Sequence, residues 1–219
     1  MKLMDKAATV IRKGEEINLQ ALQTYLQDNR VTLGDISVEQ FQNGYSNLTY
    51  LVRCREGEFV LRRPPKNTNI KSAHDMGREF KVLSLLKPVF DKVPTPTIYC
   101  EDNSVIGSPF YIMERVQGII LRSSPPKGMS LTPAMMLAIS ENAVDNLAAL
   151  HSLDIQTTGL IELGKPEGYA QRQVEGWVGR YEKSKTDDLP SMADLSEWIS
   201  NNIPKDNPPC MIHNDYKYD

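Results

Sequence analysis

The sequence predicts an α+β fold in which a small antiparallel sheet comes first and a helical region follows. Between about residues 30 and 115, short runs of alternating polar and apolar residues are separated by glycine-containing turns, which is the pattern of successive antiparallel strands. After residue 116, apolar residues recur with helical spacing instead. The 219-residue chain is 40% hydrophobic and 24% charged, the composition of an ordinary globular protein.

The first predicted element is a helix over residues 18–28. Asn18 is a residue type that caps helices, because its side-chain oxygen can accept a hydrogen bond from a free backbone N–H. Leu19, Leu22 and Leu26 follow at positions i, i+3 and i+7. They share one face of the helix, and we expect that face to be buried.

Five strands and one further helix are predicted next. The strands fall at residues 36–41, 48–53, 58–62, 98–100 and 109–113. Pro64-Pro65 ends the third strand, because proline has no N–H to donate to a neighbouring strand. The helix covers residues 73–86, between the third and fourth strands, with Phe80 and Leu83 in its buried stripe. A turn at residues 102–103 separates the last two strands.

The rest of the sequence predicts helices. Thr132 can cap a helix and Pro133 suits its first position, so we expect a helix to about residue 150. Its inward residues should be Ile139, Ala143, Leu147 and Leu150. Two further helices are predicted at residues 168–184 and 192–201, and an apolar run at residues 210–213 predicts a short strand.

The change from strands to helices predicts a domain boundary near residues 114–118. Residues 1–115 should form one lobe, which includes the N-terminal helix, and residues 116–219 should belong to a second, helical lobe. A chain of this length holds about one and a half domains of ordinary size.

Charge and composition exclude several classes of function. The net charge of −3 argues against broad electrostatic binding of nucleic acid. The three cysteines are odd in number and widely spaced, so neither a disulfide framework nor a zinc site is expected. No apolar run approaches the roughly 20 residues of a membrane helix, and charges interrupt any apolar core of a signal peptide. We therefore expect a cytoplasmic protein without a membrane partner.

A His-x-Asp sequence follows the last apolar run. By itself, His213-Asn214-Asp215 is as consistent with a turn and its capping aspartate as with a catalytic site. The order of elements favours catalysis, because a β-rich lobe with one helix, a helical lobe and then His-x-Asp is the order of a protein-kinase-like fold.

The sequence resembles the aminoglycoside phosphotransferase family of small-molecule kinases. In particular, it is similar to the branch that forms the kinase-like domain fused to some acyl-CoA dehydrogenases. The matching segments are 43–52, 59–65, 78–82, 105–114, 147–151 and 212–219, together with Arg172, Gln173, Trp177, Tyr181 and Trp198. These segments follow the family order along essentially the whole chain.

The resemblance implies ATP or GTP as the phosphate donor, Mg²⁺, and Asp215 as the residue that accepts or orients the proton of the substrate hydroxyl. It also implies that the loop with Gly44, Ser46 and Asn47 covers the phosphates. Gly44 would allow close backbone approach, and the other two would donate to phosphate oxygens. A hairpin turn remains the alternative for this loop, because it holds one glycine and lacks a G-x-G-x-x-G pattern.

Arg62 stands where most kinases carry the lysine that holds the α and β phosphates, and Glu79 stands where its paired glutamate belongs. A planar guanidinium should contact phosphate differently from a compact ammonium group. A surface ion pair is the alternative. Strand alternation places Phe59 and Leu61 on one face and Val60 and Arg62 on the other, without indicating which face meets the nucleotide.

The resemblance assigns adenine binding to the end of the fifth strand, with backbone roles for Glu114 and Val116 and an apolar wall at Met113. A core role is the alternative for Met113. Arg172 and Trp177 are candidates for a substrate groove, with packing in the helical lobe as the alternative. His151 ends a predicted helix and is expected to be structural.

The substrate implied is a hydroxylated small molecule, with a hydroxyacyl-CoA-type compound favoured over an aminoglycoside. The resemblance also implies that residue 219 falls within the catalytic loop, so the second lobe is expected to be incomplete. A non-catalytic nucleotide-binding or scaffold module is the competing class, which this truncation and the arginine at position 62 favour and the intact Asp215 and Glu79 disfavour. The oligomeric state is left open. No metal ligand is assigned within the chain, because the family's metal-binding asparagine would fall at position 220 and its aspartate later still.

The first prediction is that this 219-residue chain transfers no phosphate by itself. Phosphoryl transfer needs metal ions to neutralise developing charge, and the expected ligands lie past residue 219. The measurement compares this chain with a longer form, using Mg²⁺, ATP and a panel of hydroxylated acyl thioesters and amino sugars. Comparable turnover by both forms would contradict the assignment of residues 213–219.

Overall fold

The computed structural model describes residues 10–31, 33–42, 47–65, 75–121, 125 and 128–217. Its strands are β1 Ser37–Gln40, β2 Leu48–Cys54, β3 Gly57–Arg63, β4 Pro96–Cys100 and β5 Phe110–Glu114. Its α-helices are α1 Leu19–Asp28, α2 Met76–Leu86, α3 Asn103–Ile106, α4 Pro133–His151, α5 Tyr169–Ser184 and α6 Pro190–Asn201, with a 3-10 helix at Leu160–Leu163.

The five strands form one antiparallel sheet in the order β1-β2-β3-β5-β4. The predicted α+β class and the five-stranded antiparallel sheet are therefore confirmed. Strand β3 lies at the centre, where Leu61 pairs with Tyr50 of β2 and with Ile112 of β5. All three side chains are buried. They belong to the apolar core on one face of the sheet, which removes that face from water.

Helix α1 contributes to this core. Asn18 caps the helix as predicted, with its Oδ1 accepting a hydrogen bond from the N–H of Ala21 at 3.1 Å. Leu22 and Leu26 are buried as predicted, but Leu19 is 41% exposed, so its predicted burial is wrong. Leu19 is the first residue of α1, so it lies before the turns of the helix that pack against the core.

Arg63 is the largest fully buried side chain, and it joins the sheet to the segment before α1. Its Nη2 donates to the backbone oxygen of Glu15 at 2.6 Å and to the Tyr50 hydroxyl at 2.8 Å. Its Nη1 donates to the oxygen of Ile106 at 3.3 Å. The Tyr50 hydroxyl in turn donates to the oxygen of Glu15 at 2.7 Å. The positive charge of the buried Arg63 guanidinium is therefore stabilised by hydrogen bonds to protein oxygens in place of water.

Helix α2 packs on the other side of the sheet, near β4 and β5. Asp75 caps it, with Oδ1 accepting from the N–H of Arg78 at 2.8 Å. The ring of Phe80 stacks on Tyr99, with centroids 5.9 Å apart, and is tilted against Tyr111 at 6.3 Å. The predicted helix began at residue 73, and the segment 66–74 lies outside the described residues.

Two predicted elements differ from the structure. The predicted turn at residues 102–103 is the start of the one-turn helix α3, because the carboxylate of Asp102 accepts from the N–H of Ser104 at 2.8 Å. Gly107 ends this helix with φ of 86°, a conformation that glycine adopts without strain. The predicted strand at residues 210–213 is wrong: these residues are irregular, because an apolar run forms a strand only where another strand pairs with it.

The helical region follows the prediction more closely. Helix α4 begins after Thr132, whose Oγ1 accepts from the N–H of Met135 at 3.2 Å. Of its predicted inward residues, Leu150 is buried and Ile139, Ala143 and Leu147 are half-buried. At the start of α5, the carboxylate of Asp206 accepts from the N–H of Gly168 at 2.8 Å.

The chain divides into two compact units. The first unit is Met1–Asp145 together with Asn214–Asp219, and the second unit is Asn146–His213. The lobe boundary at residues 115 and 116 stays a prediction. Within the described ranges, no helix has both the length and the apolar character needed to cross a membrane.

We predict that Arg63→Met lowers the free energy of unfolding by roughly 2–4 kcal/mol, because it removes the donors of buried oxygen acceptors. Methionine has a volume similar to that of arginine, so the loss of stability reports the hydrogen bonds that Arg63 makes. Urea unfolding followed by far-UV circular dichroism measures the change. Arg62→Met is the matched control on the opposite face, with an expected effect within about 1 kcal/mol. Equal losses for both variants would contradict this role of Arg63.

Candidate active site

Arg62, the residue before Arg63 on strand β3, projects to the opposite face of the sheet, toward helix α2. There the Nε of Arg62 lies 3.2 Å from Oε2 of Glu79, and both side chains are 31% exposed. Glu79 lies in the first turn of α2, and β3 is the central strand. The fold therefore joins the two residues that the resemblance assigned as a phosphate-binding pair.

Two further donors hold the carboxylate of Glu79. The hydroxyl of Tyr111, on β5, donates to Oε2 at 2.8 Å. The Nδ2 of Asn47, just before β2, donates to Oε1 at 2.8 Å. Each oxygen of the carboxylate thus accepts a hydrogen bond from a buried side chain, since Asn47 is 6% and Tyr111 3% exposed.

The guanidinium of Arg62 is only partly engaged by its surroundings. Its Nε is buried and makes an ion pair without hydrogen-bond geometry. Among the residues that the structure describes, none accepts a hydrogen bond from its two terminal nitrogens. A planar guanidinium can contact two oxygens of a phosphate or carboxylate at once, so this donor set fits an anionic phosphate group.

The protonation state of Tyr111 agrees with its role as a donor. Burial raises the pKa of its hydroxyl well above the ordinary value of 10.0, and the neighbouring Glu79 carboxylate adds to the rise while Arg62 opposes it. The hydroxyl therefore keeps its proton at neutral pH and can donate to Glu79.

The end of β5 is held by its pairing with β4 and by Thr95, which lies in the segment between α2 and β4. The N–H of Glu114 donates to the oxygen of Thr95 at 2.8 Å, so this N–H is committed to the protein. The Glu114 carboxylate accepts from the Thr95 hydroxyl at 2.6 Å and from the Thr95 N–H at 3.0 Å. A nucleotide at this edge would have to use the Glu114 carbonyl or the backbone of Val116, whose side chain is 67% exposed. Met113 is half-buried on β5.

The segment after β5 is tied back to the sheet by Arg115. Its Nη1 contacts the carboxylate of Glu58 on β3, and its guanidinium lies 5.8 Å from the ring centroid of Phe41. Glu58 also pairs with Arg53 of β2. These contacts fix the backbone at the position where the resemblance expects adenine.

The predicted phosphate loop is only partly described. Gly44 and Ser46 lie outside the described residues, so their predicted roles stay predictions. Asn47 is buried and donates to Glu79, a contact that differs from the phosphate contact predicted for it.

Asp215 lies in the first unit, after a sharp change of backbone direction. Asn214 has φ of 62°, a left-handed conformation that asparagine tolerates better than most residues. The Nζ of Lys217 lies 3.2 Å from Oδ1 and 3.1 Å from Oδ2 of Asp215. The sequence motif thus places a cation beside the predicted catalytic carboxylate, and its role in catalysis stays a prediction.

The two predicted substrate residues lie in the second unit. Arg172 donates to the backbone oxygens of Glu167 and Lys165, which favours the structural alternative for this residue. Trp177 is 63% exposed, with the guanidinium of Arg180 at 4.7 Å from its ring centroid. Because this indole is largely exposed, the core alternative does not describe it.

The described side chains do not assemble a metal site: nowhere among them do three or more His, Cys, Asp or Glu residues come together in a suitable group. Mg²⁺ therefore remains an expectation that depends on the resemblance. Sequence reasoning missed Tyr111 and Lys217. Lys217 is two residues from Asp215, and Tyr111 stands opposite Arg62 in the β3–β5 pairing, so a predicted strand register could have identified it.

The sequence comparisons define the class of protein. Residues 37–219 match the model of the APH family, described as a phosphotransferase enzyme family. The chain belongs to this family, and the resemblance inferred from its motifs is confirmed. Acyl-CoA dehydrogenase family member 11 of Rattus norvegicus is 38% identical over 210 residues, which are 93% of this chain and 27% of that protein. The chain thus spans about a quarter of the length of the curated relatives it matches.

Solved structures share the fold. A crystal structure from Ralstonia eutropha, assigned as an aminoglycoside phosphotransferase, has a TM-score of 0.72 and 35% identity, covering 87% of this chain and 55% of that one. Macrolide 2′-phosphotransferase MphH of Brachybacterium faecium has a TM-score of 0.53 and 15% identity, covering 84% of this chain and 60% of that one. The second likeness concerns the fold alone. The kinase-like fold predicted for the chain is confirmed.

We predict that Thr95→Val raises the pKa of Glu114. Hydrogen bonds from Thr95 hold this pKa below the ordinary value of 4.5, and Lys87 adds a smaller effect. An acid with a lowered folded pKa stabilises the fold above its unfolded pKa, and this contribution is lost as the pH falls through the folded pKa. The variant should therefore lose stability at neutral pH and less of it in strong acid.

The pKa can be measured by a carbon-13 NMR titration of the Glu114 carboxyl group. Thr97→Val is the matched control, because Thr97 is exposed and lies two residues from Thr95, on β4. An unchanged Glu114 titration in Thr95→Val would refute the assigned cause of the shift.

Proposed function

We propose that this chain forms the nucleotide-binding part of an ATP-dependent phosphotransferase that acts on a hydroxyl group of a small molecule. The observation that carries the proposal is the ion pair between Arg62 and Glu79, 3.2 Å apart on the face of the sheet where α2 packs. The side chain of this arginine is 31% exposed, and no described residue accepts a hydrogen bond from its two terminal nitrogens. Membership of a phosphotransferase family supports the same chemistry.

The proposed binding mode assigns separate tasks to three parts of the first unit. Arg62 holds the α and β phosphates of ATP or GTP through its terminal nitrogens. The backbone of Glu114 and Val116 contacts the adenine or guanine base, with Met113 as an apolar neighbour. When bound, Mg²⁺ would neutralise charge on the phosphates.

Asp215 is the proposed catalytic residue. Its carboxylate orients the acceptor hydroxyl and takes its proton as the hydroxyl oxygen bonds to the terminal phosphorus. The bond from that phosphorus to the bridging oxygen breaks, and the nucleoside diphosphate leaves. The nearby ammonium group of Lys217 compensates negative charge where the carboxylate and the phosphates approach each other.

A hydroxyacyl-CoA-type acceptor is the proposed substrate class. Its support is the similarity to acyl-CoA dehydrogenase family member 11 over 93% of the chain, since a kinase domain fused to a dehydrogenase can act on the same acyl thioesters. Trp177 and Arg180 of the second unit provide an exposed aromatic and cationic surface that suits a planar, anionic group such as the CoA nucleotide.

We predict that Arg62→Ala weakens ATP binding by about 1.5–3 kcal/mol, the range for hydrogen bonds to charged groups. Arg62→Lys should recover only part of this, because an ammonium group is a point charge without the planar fork. Isothermal calorimetry with ATP and GTP, on a form that continues past residue 219, measures both effects.

Arg55→Ala is the matched control, because it removes the same charge from the exposed turn between β2 and β3. Turnover of hydroxyacyl-CoA and amino sugar acceptors is then measured with the wild-type protein and with Asp215→Asn. Nucleotide binding without turnover of any acceptor would favour the non-catalytic alternative, and equal ATP affinity for wild type and Arg62→Ala would refute the role of Arg62.

A further inference from the structure

Tyr111 contacts helix α2 at two successive residues in different ways. Its ring packs against Phe80 at a centroid distance of 6.3 Å, and its hydroxyl donates to Glu79 at 2.8 Å. Ring packing limits how far the helix can lie from the sheet, and a directional hydrogen bond limits how the helix can rotate. A phenylalanine at position 111 could supply the packing alone.

Asn47 restrains the same carboxylate from another direction. Its Nδ2 donates to Oε1 of Glu79, whereas Tyr111 and Arg62 contact Oε2. Donors on both oxygens oppose rotation of the carboxylate about its last torsion, which is otherwise broad and weakly restrained. The Nε of Arg62 therefore faces an oxygen of fixed position.

We propose that Tyr111 and Asn47 are positioning residues that hold the Glu79 carboxylate so that Arg62 presents its two terminal nitrogens to the nucleotide phosphates. The proposal rests on the function proposed above and assigns residues that the motif comparison did not single out for this task. Neither residue touches the nucleotide in this scheme; each acts through Glu79.

The exposures of the four side chains agree with this division of tasks. Tyr111 and Asn47 are 3% and 6% exposed, whereas the side chains of Arg62 and Glu79 are each 31% exposed. A ligand from solvent can reach the ion pair more readily than the two donors behind it. The raised pKa of Tyr111, caused first by its burial, keeps the hydroxyl protonated across the pH range of an assay.

The test uses Tyr111→Phe and Asn47→Ala in a form of the protein that continues past residue 219, with steady-state kinetics of phosphate transfer to the best acceptor. Each variant should raise the KM for ATP roughly three- to tenfold, the worth of one ordinary hydrogen bond. The KM for the acceptor should stay unchanged, because Arg62 does not contact the acceptor in this scheme.

Tyr99→Phe is the matched control. Tyr99 stacks on the same Phe80 ring, with centroids 5.9 Å apart. Its substitution removes a tyrosine hydroxyl from the cluster that Phe80 forms with Tyr99 and Tyr111, and leaves the hydrogen bonds to Glu79 in place. It should leave the KM for ATP at the wild-type value. A rise equal to that of Tyr111→Phe would overturn the proposal, because packing alone would then account for both.

The decisive measurement repeats Tyr111→Phe and Asn47→Ala in a Glu79→Ala background, as a double-mutant cycle. Residues that act through Glu79 lose their effect when Glu79 is absent, whereas residues that bind phosphate directly or only support the fold keep it. An effect that persists in this background overturns the proposal.

Arg62→Ala separates the proposal from the function on which it rests. If Arg62→Ala does not raise the KM for ATP, the proposed function of the ion pair fails. If Arg62→Ala raises it and Tyr111→Phe and Asn47→Ala do not, only the positioning role is overturned.

Discussion

Strand β3 carries two arginines in succession, and strand alternation sends them to opposite faces of the sheet. Arg63 enters the core, where it binds the segment before α1, and Arg62 meets Glu79 of α2. A slip of one residue in the register would exchange the two. It would leave Arg62 among core residues and remove the cation from the candidate site, so the register of β3 fixes the core and the site together.

The register is secured from both sides of the strand. Leu61 is buried between Tyr50 and Ile112 of the neighbouring strands, and a shifted register would turn this apolar residue toward α2. Arg63 adds a polar constraint, because its nitrogens find oxygens of Glu15, Tyr50 and Ile106. A buried cation is costly unless its donors are satisfied, so this position accepts few alternative arrangements.

The sequence predicted most elements of the fold because their signals are local. The capping side chain of Asn18 and the alternation in β3 depend on residues within a few positions. The contacts around Glu79 are different, because Asn47 and Tyr111 each lie 32 residues from it. The choice between Arg62 and Arg63 also needed tertiary information, since alternation separates the two arginines without indicating the core side. The strand expected at residues 210–213 failed for a related reason, because a strand requires a partner.

The distribution of aromatic residues gives the two units different optical signals. The chain has two tryptophans, Trp177 and Trp198, and both lie in the second unit. The sheet and its arginine contacts contain tyrosines. Tryptophan fluorescence therefore reports on the second unit and does not report on unfolding of the sheet. The two indoles are also 63% and 62% exposed in the folded protein, so their emission should shift little on denaturation. Tyrosine absorbance is the better intrinsic probe of the first unit.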